Sequence, residues 1–362
     1  MWAGVATVPG LNFCPSPPLL DGVLKEHVEN ATVFKGTSKT VQNELLDCML
    51  SVVREQIIQD AQSSDFLSIQ ADETTDIATQ CQLVLVLRYI DAKSNVQERF
   101  FEFIPLCSTT ADSIATVLKE RLAVILPEDQ KSKLISQAYD GASVMRGDAT
   151  AGAQRKMQDV YPNAHYIHCY AHQLNLIMQQ ATSHISKVCD TILRHTLERF
   201  SFTDHLVSAT LLQADRFEQY TMAFPEDALS RTLKAYPVLD GSNLKTELSL
   251  IYCKEEFRAC CGALDLLQLF MENNLEEVFS ETVTLLKILV TTPMTTAEAE
   301  MCFSTLKRIK TFLRNSMTQE RLNALAMLLI EKRLVTEMTN FNQKVIEKFA
   351  SQKERRAKFV FK

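Results

Sequence analysis

Short apolar runs, separated by Pro, Gly, Asn and Asp, set the order strand, strand, strand, helix, strand, helix, strand, helix across residues 66–177. Phe66 to Ala71 is apolar except at Ser68 and Gln70, the pattern of a central strand. Leu83 to Ile90 is largely Leu, Val and Ile, and Asp91 to Asn95 supplies a turn. Glu98 to Leu106 adds Phe100, Phe101, Phe103 and Ile104. The links among these three runs are too short for helical crossovers, which predicts an antiparallel meander. Ala111 to Leu126 has helical spacing at Ile114, Val117, Leu118, Leu122 and Ile125, a crossover long enough to bring Leu134 to Ala138 back in parallel. The fold class expected is α/β, a mixed five-stranded sheet flanked by helices.

The flanks read as helices. Thr40 to Gln62 carries one stripe of Leu45, Leu46, Met49, Leu50, Val53, Ile57 and Ile58, suited to packing on the sheet. Residues 1–39, with Pro9, Pro15, Pro17 and Pro18, show little periodicity and are expected to be a poorly ordered lead-in. Helical patches recur over Val188 to Phe200 and Leu206 to Tyr220, with breaks at Pro225, Pro237 and Asp240-Gly241. Thr295 or Thr296 is a reasonable N-cap for a helix bearing Ala297, Glu300, Met301, Leu306 and Ile309. A further helix over Thr318 to Thr336 has Leu322, Leu325, Ala326, Leu329 and Ile330 on one face. That face is wide enough for a partner copy, packing within its own chain being the other reading. The 337–362 tail ends in a short basic run, Lys353 to Lys358.

Composition narrows the class. In 362 residues, 46% hydrophobic and 23% charged, there is ample material for a core and room for two domains or one with appendages. No run of eighteen apolar residues is present, so no membrane span is expected, and the opening residues lack the basic region of a secretory signal. The expected compartment is intracellular, with ten scattered cysteines kept reduced. A net charge of −6 argues against a chain-wide nucleic-acid surface, so any DNA contact is local or weak.

Two aspartates carry the candidate chemistry. If strands one and four lie side by side, Asp72 and Asp140 stand at neighbouring carboxyl ends. Carboxylates that close hold a divalent cation or share a proton, and paired Mg²⁺ ions so held activate water and stabilise a leaving oxygen in phosphoryl transfer. The plainer reading is that each caps a strand or opens a helix. Cys169-Tyr-Ala-His172, with His165 and His168 upstream, invites a metal reading, but no second ligand pair follows at zinc spacing, and no zinc site is expected.

Ala71 to Asp76, Tyr139 to Ser143, His168 to Leu176 and Pro293 to Lys310, in that order, resemble the ribonuclease-H-like core and carboxy-terminal dimerisation signature of hAT-superfamily transposases. The likeness is to the vertebrate transposon-derived branch that includes zinc finger MYM-type protein 1-like sequences. It implies a ribonuclease-H-like core at 40–180, a remnant helical insertion and connecting region at 181–284, and a dimerisation block at 285–336. It further implies an acidic triad of Asp72, Asp140 and Glu300, catalytic or vestigial, that would bind Mg²⁺ or Mn²⁺. Cys169 and His172 would organise the site or contact DNA. Phe303, Leu306, Leu322, Leu325 and Leu329 would serve dimerisation, with a second copy or a related hAT-derived protein as partner, in the nucleus. The sequence departs from the family in lacking a zinc module ahead of the first helix, in having its one tryptophan at Trp2 rather than in an insertion, and in Met301 where Arg is common after the third acid. The expectation is therefore a catalytically silent protein that acts by dimerising and carries no resident cofactor. The alternative is a residual metal-dependent DNA strand-transfer enzyme.

Overall fold

The computed structural model describes residues 38–147, 152–182, 207–260, 262–311 and 316–352. The chain divides into two compact units, one of Ile58–Ser304 and one of Met1–Ile57 with Thr305–Lys362. Of the expected lead-in at 1–39, residues 1–37 lie outside the described residues, as do the helical patch at 188–200 and the basic run at 353–358, while Lys39 already opens the first helix.

After α1 (Lys39–Ser63) come β1 (Leu67–Thr75), β2 (Cys81–Ile90) and β3 (Val96–Pro105), which pair antiparallel as a meander. Their core faces are buried because Ile69, Ala71, Val84, Val86, Phe100 and Phe103 leave nothing exposed. α2 (Ala111–Ile125) opens on Thr110, whose hydroxyl accepts from the Ser113 N–H, and buries Ile114, Leu118, Leu122 and Ile125. It returns the chain to β4 (Leu134–Tyr139), which pairs parallel with β1. Two short helices, α3 (Ser143–Arg146) and α4 (Ala153–Gln158), lead to β5 (His165–His168), parallel to β4. The sheet order is β3-β2-β1-β4-β5, the five-stranded mixed sheet the sequence predicts. From its last strand the chain enters α5 (Tyr170–Thr182).

One strand runs further than its apolar pattern. β1 continues from Ala71 through Thr75, because Asp72 to Thr75 pair with Val84 to Cys81 on β2. Asp76 then closes the turn, its carboxylate accepting from the Ala78 and Gln80 N–H groups and from the Gln82 amide. Asp72 is thus inside a strand, at the end only of the β1–β4 ladder, which stops at Gln70 opposite Ala138.

Residues 207–291 form a helical layer in the same unit: α6 (Phe217–Met222), α7 (Glu226–Ala235), α8 (Gly241–Cys253), α9 (Glu255–Arg258), α10 (Ala263–Glu272) and α11 (Ser280–Thr291). Leu211, Phe217, Leu244, Leu248, Tyr252, Phe270, Leu286 and Ile288 build one apolar cluster that reaches Ile135 of β4. Buried Glu247 satisfies the first turn of α11, accepting from the Thr282 N–H at 2.7 Å and the Glu281 N–H at 3.2 Å. Arg88 of β2 fixes the other end of α11, donating to the Val290 carbonyl and pairing with Glu98 at 2.8 Å.

α12 (Ala297–Ile309) leads towards α13 (Gln319–Ile330), α14 (Lys332–Glu337) and α15 (Phe341–Ser351). In the terminal unit Arg321 of α13 donates to the Asn43 side chain of α1, and Lys348 of α15 pairs with Glu55 of α1. One sequence expectation changes here. Leu322 and Leu325 are buried in the single chain, Leu325 to 2% exposure, as are Phe303 and Leu306, while Leu329 is half-buried. Most of the apolar face of α13 is thus buried within the single chain. The described part of the 337–362 tail includes a helix, α15, which buries Phe341, Val345 and Phe349. Among the described residues no helix is long and apolar enough to cross a membrane.

Candidate functional site

Register brings the two aspartates together. Ser68, Ile69 and Gln70 of β1 face Ser136, Gln137 and Ala138 of β4, and the same offset continued two residues sets Asp72 beside Asp140. The Ser136 and Ser68 hydroxyls bond at 2.6 Å, showing that paired positions share a face. Asp72 is held far above the usual carboxylate range, at a pKa of about 7. Burial is the largest cause; the charges of Asp140, Glu300 and Glu73 add to it, and a bond from the Glu73 N–H at 2.8 Å opposes them. Glu73 is itself pushed up by burial and then by Asp140.

Asp140 sits in a tight loop. Its carboxylate accepts from the Ala142 N–H at 2.9 Å, and its carbonyl accepts from His168 Nε2 at 3.0 Å. Gly141 between them has φ +83°, and a Cβ there would stand 2.0 Å from His168 Nε2. The His168 ring therefore occupies the space a side chain would take. Burial holds His168 below the ordinary imidazole value; Arg146 and His172 push the same way, against the bond to and charge of Asp140. Tyr166 stacks on His168 at 6.4 Å, and His172 lies 6.3 Å from it, ring to ring.

Glu300, the third sequence-predicted acid, is on α12 and exposed, yet its charge still reaches Asp72. Among the described residues no three His, Cys, Asp or Glu side chains are grouped to hold a metal ion. The donor chemistry, carboxylate oxygens alone, suits Mg²⁺ or Mn²⁺; the spacing does not complete a coordination shell. Cys169 is fully buried, and its sulfur accepts from the His172 N–H at 3.5 Å and the Thr296 N–H at 3.3 Å. Sequence reasoning names Asp72, Asp140, Glu300, Cys169 and His172, and offers Thr296 only as an N-cap, but assigns nothing to Glu73 or Arg146. Glu73 carried a signal, as a second acid one residue on from Asp72; the roles of Arg146 and Thr296 depend on contacts distant in sequence.

A five-stranded mixed sheet with this acidic face, followed by helices, is the frame of an RNase-like domain joined to an hAT carboxy-terminal region. Residues 21–151 match the ZMYM1/FAM200 RNase-like domain, and residues 256–334 match the hAT family C-terminal dimerisation region, together more than half of the chain. The chain thus carries an RNase-like domain of the ZMYM1/FAM200 type and an hAT-family carboxy-terminal dimerisation region. It is 28% identical over 142 residues to the human 52 kDa repressor of the inhibitor of the protein kinase, and 28% over 141 residues to the mouse protein of that name. Each match covers 38% of this chain and 18% of the relative, so the chain spans less than a fifth of the length of these curated relatives.

Proposed function

We propose that this protein works by association, with a second copy or a related hAT-derived chain, and that its acidic face no longer joins DNA. The observation that supports this most directly is the match of residues 256–334 to the hAT dimerisation region. Within that span Leu264, Val278, Met294 and Met301 leave large apolar side chains exposed in the single chain, surface that association would cover. A nuclear location follows from the family resemblance, and the net charge of −6 confines DNA contact to a local patch. The silent reading predicts that labelled hAT-end duplex, incubated with the full chain and Mg²⁺ or Mn²⁺, gives no nicked or joined product. DNA not held in register forfeits the effective molarity that strand transfer needs.

The second reading, a residual strand-transfer enzyme, is favoured by one observation: Asp72 feels the charges of Asp140, Glu300 and Glu73 together. In that reading Asp72, Asp140 and Glu300 are the candidate ligands, whose spacing here does not complete a coordination shell. Cleavage that vanishes in Asp140→Asn would replace the silent reading with this one.

A further inference from the structure

Among the described residues the Cys169-x-x-His172 motif gathers no set of metal ligands, and its cysteine is wholly buried. Its contacts lead to both acid-bearing segments instead. The Cys169 N–H donates to the Tyr139 carbonyl at 2.9 Å, directly before Asp140. The Cys169 sulfur accepts from the Thr296 N–H, and the Glu300 N–H bonds back to the Thr296 carbonyl at 3.1 Å, in the turn that opens α12. The next residue, Tyr170, donates its N–H to the Met294 carbonyl at 3.0 Å, so the 294–296 segment is held at two points.

We propose that Cys169 is a positioning residue: its sulfur anchors the start of α12 against the β5–α5 junction and thereby sets Glu300 towards Asp72 and Asp140. The chemistry suits a cysteine. A thiol sulfur is large and polarisable enough to accept from two N–H groups on different segments, here the first turn of α5 and the residue ahead of α12. With alanine at this place the Thr296 N–H loses its acceptor in a buried setting and the His172 N–H loses its own in a part-buried one, and the α12 entry gives up one of its two ties to the β5–α5 junction. Cys169 makes these contacts under the silent and the active reading alike.

The test is hydrogen exchange by mass spectrometry on the full chain, with wild type, Cys169→Ala and Cys169→Ser compared. In Cys169→Ala the 294–300 and 170–173 segments should exchange roughly tenfold faster while β1 and β2 are unchanged. Cys169→Ser, whose hydroxyl also accepts, should keep most of the protection. The positional claim has its own readout. Glu300→Gln should raise the folding equilibrium constant roughly twofold at pH 8 by relieving repulsion, and should do nothing when added to Cys169→Ala. The same gain in both backgrounds, a serine variant as open as the alanine one, or loss of protection spread evenly over the sheet would each overturn the proposal. Should Cys169→Ala fail to fold, Thr296→Pro deletes the donated N–H with Cys169 in place, and must open the 294–300 segment.

Discussion

Gly141→Ala is expected to cost about 3 kcal/mol or more of folding stability, the largest single-residue effect in the β4–α3 loop. Two penalties add. A φ of +83° is strained for any residue with a Cβ, and that Cβ would overlap the His168 ring at 2.0 Å. The ring would have to swing out and abandon the Asp140 carbonyl, loosening the loop that carries the second acid. Denaturant unfolding measures the loss, and the His168 imidazole resonances should shift with it. Gly262→Ala is the control: its backbone is extended and a Cβ there meets nothing within 4 Å, so it should be nearly neutral. Equal costs at both glycines would contradict the close packing of His168 on Gly141.

Asp72→Asn should stabilise the protein, by about 2–4 kcal/mol at pH 8, and progressively less towards pH 4. The folded pKa of about 7 lies above that of an unfolded aspartate, so between these values the native state binds more protons than the unfolded one. Stability therefore falls as pH rises through that window, and an amide, which never ionises, escapes the loss. Parallel unfolding curves at pH 4 and pH 8 give the difference, and a gap that does not grow with pH would show that Asp72 is not buried among acids. Millimolar Mg²⁺ adds a second use. A cation held at the acidic face would stabilise wild type at pH 8 and leave Asp72→Asn unmoved.

The alternating apolar runs made the meander and the parallel β4 legible, because connection length decides between hairpin and crossover. They did not show β1 running on through Asp72, Glu73, Thr74 and Thr75: those polar residues are in the strand because β2 offers backbone partners, which side-chain hydropathy does not encode. Asp72 and Asp140 were readable as a pair since both follow short apolar runs, and the β1–β4 register sets them side by side. The surroundings that tune them were not readable. His168 filling the place of a Gly141 side chain, and Cys169 meeting Thr296 across 127 residues, are contacts that only the folded chain makes. The breadth of the apolar face on α13 was legible, but not its cover: amphipathicity measures how much surface must be buried and is silent about which neighbour buries it.

Association is the central claim, and sedimentation of the full chain tests it most directly. A fresh 1:1 dimer at micromolar concentration is predicted, weakened by Met301→Glu, which puts charge on an exposed apolar position of the dimerisation region without touching the core that Leu325 fills. A chain that sediments as a monomer at that concentration, alone and mixed with a related hAT-derived protein, would contradict the account.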